Sequence, residues 1–129
     1  MTNTRMTIAW NNGSPRFSPP VGVTDLQDGD SVTVQLTGAP TGTLINTVTI
    51  YENSTSGGND AKGSQLCQWT RDGGSSCSVY TIAANSDTEV TITDAEDPSA
   101  DEKYWFGVSG SPNSWSVDPE LINKPGGGG

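Results

Sequence analysis

Residues Glu89 to Ser109 read EVTITDAEDPSADEKYWFGVS. Val90 and Ile92 alternate with Thr91 and Thr93, the period of a strand with one buried face. Further on, Tyr104, Phe106 and Val108 share one face, and Trp105, Gly107 and Ser109 share the other. Between the two runs lies DAEDPSADE, with five carboxylates and a proline in nine residues. Burying so many charges without partners is prohibitive, so this segment is expected to be an exposed corner between strands of opposite sheets.

Working outward, the same alternation recurs. Met6, Ile8 and Trp10 alternate with Thr7 and Ala9. Val32, Val34 and Leu36 follow the tight turn Asp28-Gly29-Asp30. Leu44 to Glu52 forms another strand, with Val48 and Ile50 inward and Thr49 and Tyr51 outward. Gln65 to Thr70 and Ser76 to Ala83 read as a hairpin around Arg71 to Ser75. RFSPPVGV is proline-broken and suits an edge. Pro119 likewise interrupts the run from Trp115 to Asn123 and implies an edge position or a bulge. ENSTSGGNDAKGS, residues 52–64, has no apolar alternation and reads as a long loop. No window has helical periodicity. The fold class is therefore all-β: an antiparallel two-sheet sandwich of about eight or nine strands. The expected core is Val32, Val34, Leu36, Val48, Ile50, Val90, Ile92, Tyr104, Phe106 and Val108, with Trp10 and Trp115 in phase with apolar neighbours.

The acidic turn followed by Tyr104 resembles the corner of the immunoglobulin-like sandwich. The resemblance covers about twenty residues and is to the broad class. It implies that the Tyr104 hydroxyl bonds back to the upstream backbone. Phe106 stands where antibody-type domains carry their second cysteine. Ala100 occupies the usual aspartate position, and Asp101 lies one residue later. Such a likeness implies a fold and carries no function with it.

The 129 residues fit one domain over 1–125 followed by a glycine tail, 126–129. Only 31% of residues are hydrophobic, which suits a thin two-sheet core. A net charge of -9, with three lysines and three arginines scattered along the chain, opposes nucleic-acid binding. There is no apolar run of membrane-spanning length, and the N-terminus lacks the apolar core of a signal peptide. The chain has no histidine. Ser-His-Asp and Cys-His catalysis and histidine-ligated metals are thereby excluded. The carboxylates look exposed, with no pocket to raise a pKa, so the expectation is that the chain is not an enzyme.

Cys67 and Cys77 fall opposite each other if Asp72 is the centre of the turn, which allows a cross-strand disulfide. A bond there would favour an oxidising compartment, extracellular or at a cell surface. Asp94, Glu96, Asp97 and Asp101 are candidate calcium ligands in the acidic corner. Asp25, Asp28 and Asp30 are a weaker set without the EF-hand pattern. Calcium is accordingly a candidate cofactor, weighed against ordinary solvated turns. Trp105 and Tyr51 are expected to point outward from neighbouring strands and to make a flat aromatic platform. Trp69, beside the hairpin turn, is a third candidate contact residue. Two roles compete: a protein-interaction or structural module that could self-associate, and a small carbohydrate-binding domain, lectin-like and calcium-assisted.

Overall fold

The computed structural model describes residues 3–11, 13–18, 23–25, 31–78, 80–94, 102–117 and 120–124. Among the described residues there are twelve strands: β1 (Asn3–Asn11), β2 (Ser14–Ser18), β3 (Val23–Asp25), β4 (Ser31–Thr37), β5 (Leu44–Ser56), β6 (Asn59–Thr70), β7 (Gly74–Ser75), β8 (Tyr80–Ser86), β9 (Glu89–Asp94), β10 (Glu102–Ser111), β11 (Trp115–Ser116) and β12 (Glu120–Lys124). The count exceeds nine for three reasons. The expected edge segment is described as β2 and β3, which lie in different sheets, and the run from Trp115 to Asn123 as β11 and β12. The two-residue β7 is the third addition.

One sheet has the order β2-β1-β4-β9-β8; the other runs β3-β12-β10-β5-β6-β7, with β11 beside β10. The second order is that of the larger sheet in a variable-type immunoglobulin domain, and β4-β9-β8 supplies its opposite sheet. The fold is an immunoglobulin-like β-sandwich. Most pairings are antiparallel. The exceptions are β1 with β4 and β12 with β3, which are parallel.

The inward faces meet as the alternation requires. Met6, Ile8, Val32, Val34, Val90 and Ile92 face Val48, Ile50, Phe106 and Val108, none more than 2% exposed. Phe17 packs edge-to-face on Phe106, with ring centroids 5.6 Å apart. Burying each such side chain stabilises by about 1.5–3 kcal/mol. Trp115 is buried, and the half-buried Trp10 meets it edge-on at 5.1 Å. Tyr104 is half-buried at the margin of the core, against Tyr80 at 5.7 Å. The acidic corner upstream of it, residues 95–101, lies outside the described residues, and so does the expected hydroxyl contact.

Two expectations need correction. Residues 52–64 are not a loop. They belong to the longest hairpin among the described residues, β5 and β6, which turns at Gly57 and Gly58. Both glycines have positive φ, 59° and 83°, the two-residue geometry that matches the twist of the flanking strands. Neither face of the hairpin end is covered, so the strand carries no apolar alternation. The second correction concerns Ser76 to Ala83. Beyond β7 the chain leaves the second sheet, and β8 pairs with β9 in the first.

The crossing is tied down twice. Trp69 pairs with Ser75 and Thr70 with Gly74, so Cys67 and Cys77 continue the same register. They are disulfide-bonded, with Cα atoms 5.0 Å apart. Arg71 donates from Nε to the Ile45 carbonyl and from Nη2 to the carbonyls of Ser86 and Asp87. It thus links β5 to the β8–β9 turn. The Asp87 carbonyl also accepts from the Ile45 N–H at 2.9 Å.

Candidate functional site

The outward residues of β5 and β10 form matched rows on the second sheet. Tyr51 is opposite Trp105, Thr49 opposite Gly107, and Thr47 opposite Ser109. The rows follow from strand parity. Val48, Ile50, Phe106 and Val108 point inward, so the residues between them point out.

Tyr51 and Trp105 are both half-buried. Their polar partners come from the β5–β6 hairpin. The Trp105 Nε1–H donates to Asn53 Oδ1 at 2.8 Å. Asn53 in turn donates through Nδ2 to Asp60 Oδ1 at 3.0 Å, and Lys103 Nζ donates to Asp60 Oδ2 at 3.0 Å. Lys62 Nζ sits 4.2 Å from the centre of the Tyr51 ring, a cation–π contact. These bonds hold the hairpin against the aromatic pair without laying an apolar cover over it. Hydrogen bonds from Lys103 and Asn53 favour the charged Asp60 carboxylate and hold its pKa below the ordinary 3.8.

Past the aromatic pair, Gly107 contributes no side chain, and the surface dips. A hollow of about 280 Å³ is bounded by Thr49, Tyr51, Lys62, Ser109 and Ser116. Thr49 is 7% exposed and accepts from Gln68 Nε2 at 3.1 Å. A second hollow, about 330 Å³, adjoins it and is lined by Asn46, Thr47, Ser114 and Trp115; the two share Ser109 and Ser116. A bulge in β5 leaves Asn46 unpaired between Thr47, opposite Ser109, and Ile45, opposite Gly110, and Asn46 lines the second hollow. Gly110 is required there, because any Cβ would strike the Leu44 carbonyl and come within 2.6 Å of the Trp115 ring.

No protein-family model and no characterised protein sequence matches the chain. Among solved structures, that of murine CRIg is similar, at 11% sequence identity and a TM-score of 0.46. The overlap covers 83% of this chain and 93% of that one. A likeness of that size carries no argument about function; the strand order given above defines the fold on its own terms.

Tyr51 and Trp105 are therefore adjacent cross-strand neighbours, as parity implied. Trp69 is not a surface contact. It is 6% exposed and lies in the core, because Trp69 shares the inward parity of Cys67 on β6. The candidate calcium ligands Glu96, Asp97 and Asp101, and the side chain of Asp94, lie outside the described residues, as do Asp28 and Asp30. Among the described residues no group of three or more acidic, cysteine or histidine side chains is placed to hold a metal ion. Asn53, Asp60, Lys62 and Lys103 were not singled out from sequence. The Gly57-Gly58 pair was the available signal, since a two-glycine turn places residues on either side of it opposite each other.

Proposed function

We propose that the chain is a non-catalytic interaction module that docks another polypeptide on the outer face of its second sheet. The observation that carries this reading is the Tyr51–Trp105 pair, two large aromatic side chains side by side and facing away from the core. Leu66 adds apolar area nearby. A bulge removes it from pairing between Cys67 and Gln65, and at 43% it is the exposed large hydrophobic residue among those described. Tyrosine and tryptophan supply large contact area with a polar tip, which suits the centre of a protein interface. The polar fringe of Asn53, Asp60, Lys62 and Lys103 provides a rim. A second copy of the chain is one such partner.

The test places a photo-crosslinking residue at Gln65, which pairs with Tyr51, and a control at Thr81 on the opposite sheet. Polypeptide adducts are expected from Gln65 and not from Thr81, and Trp105→Ala should remove them. Sedimentation velocity over a concentration series then identifies whether the partner is the chain itself. Equal adducts from both positions, or adducts indifferent to Trp105→Ala, would contradict the proposal.

A further inference from the structure

We infer that the trough over β10 is a binding site for a short neutral saccharide, a ligand separate from the polypeptide proposed above. It begins beside Tyr51 and continues through the two joined hollows towards Trp115. The rows from Tyr51 to Thr47 cover four strand steps, about 13 Å at the usual rise. That length suits a short oligosaccharide lying along the strand.

The lining decides the ligand class. Strand β10 is paired on both sides, with β5 on one and with β11 and β12 on the other. It is therefore an interior strand, and a peptide could not pair with it in the manner of an added edge strand. What the trough offers is side-chain hydroxyls, from Thr49, Ser109 and Ser116, and a tyrosine ring at one end. Thr49 already accepts from Gln68, and its own O–H remains a donor. A sugar has the complementary surface: hydroxyls around its edge and C–H groups on its face.

Charge argues for a neutral sugar. Lys62 is the cation lining the trough, and its ammonium already lies over the Tyr51 ring. With a net charge of -9 on the chain, an acidic ligand would meet general repulsion and a single occupied cation. The absence of a side chain at Gly107 makes the room: any larger residue in that row would stand where the ring lies. The combined size of the hollows falls in the range of small-ligand sites.

The experiment titrates the full chain with short neutral gluco-, manno-, galacto- and xylo-oligosaccharides, followed by amide NMR spectra. Galacturonate oligomers and a short polar peptide are the comparison arms. At least one neutral sugar should shift the amides of Thr49, Gly107, Ser109 and Ser116 in a saturable way. Ser109→Leu, which fills the trough from an outward position, should weaken that binding by about tenfold or more. Its thermal midpoint and a second blocking variant, Ser116→Leu, separate blockage from misfolding. Thr81→Ala, on the opposite sheet, should leave sugar affinity within a few-fold. The inference is overturned if no neutral sugar shifts those amides at millimolar concentration. It is also overturned if the acidic oligomers or the peptide bind as well, or if both blocking variants leave affinity unchanged. Loss of the photo-adducts with sugar binding intact would remove the polypeptide proposal alone.

Discussion

Trp105 and Asn53, 52 residues apart in sequence, are joined by a hydrogen bond of 2.8 Å from the indole Nε1 to the amide oxygen. The bond fastens the projecting end of the β5–β6 hairpin to the body of the second sheet. Among the described residues the β5–β10 register ends at Glu52, and beyond it this bond and the Lys103–Asp60 ion pair fasten the hairpin laterally. Asn53→Ala should therefore speed solvent exchange of the Trp105 indole proton, measured by NMR. Global stability should fall by no more than about 1 kcal/mol, the scale of one partly exposed hydrogen bond. An unchanged exchange rate would mean the bond does not form in solution.

The Asp60 carboxylate gives a pH signature. Its folded pKa is lowered by hydrogen bonds from Lys103 and Asn53. A lowered folded pKa contributes stability that is present above the unfolded value, near 3.8, and is lost as pH falls through the folded one. The hairpin end should thus loosen only in acid below that value. A carboxyl-carbon NMR titration should place the Asp60 midpoint below 3.8. Lys103→Met should move the midpoint upward; an unmoved midpoint would show that Lys103 is not its partner.

Phe106 is fully buried and packs edge-on to Phe17. Phe106→Ala should cost about 3–5 kcal/mol, from lost transfer energy and the cavity left behind. Urea unfolding measures this. A loss under about 1 kcal/mol would be incompatible with burial at the centre of the sandwich.

Gly110 is a steric requirement rather than a conformational one. A Cβ there would collide with the Leu44 carbonyl and crowd two atoms of the Trp115 ring at 2.6 and 2.8 Å. Gly110→Ala should destabilise by about 1–3 kcal/mol or more, since the obstacle includes backbone. The same substitution at Gly42, where no atom lies within 4 Å, meets no collision, but positive φ imposes a backbone cost of about 1 kcal/mol. Comparing the two melting curves separates the effects.

The disulfide closes a short loop, with its cysteines ten residues apart. Thiol titration of unreduced, unfolded protein should find no free cysteine. Replacing both with serine should lower stability by at most about 3 kcal/mol, the loop-entropy scale for this separation.

Much of the frame was legible in the sequence because period-two alternation marks strands that have one covered face. Val32, Val34, Val48, Ile50, Val90, Ile92, Phe106 and Val108 are buried for that reason. Parity also placed Tyr51 and Trp105 outward, and the spacing of Cys67 and Cys77 about Asp72 anticipated their bond. Alternation is silent where neither face is covered. Residues 52–64 are polar on both sides and still form a hairpin, because cross-strand hydrogen bonding needs no apolar side chains. Trp69 was misplaced for a different reason: nearness to the turn suggested exposure, whereas its register with Cys67 on β6 turns it inward.

What the sequence determined by itself was the local period of each strand and hence the sidedness of its residues. Tertiary structure alone decided which outward residues meet. Asn53 reaches Trp105, and Lys103 reaches Asp60, only because β10 and β6 flank β5 in one sheet. The trough likewise exists only because Gly107 falls opposite Thr49 and Ser109 opposite Thr47. Those are register relations between strands distant in the chain. A strand's own pattern fixes its two faces, but which neighbour it pairs with, and in what register, is settled by the packing of the whole sheet.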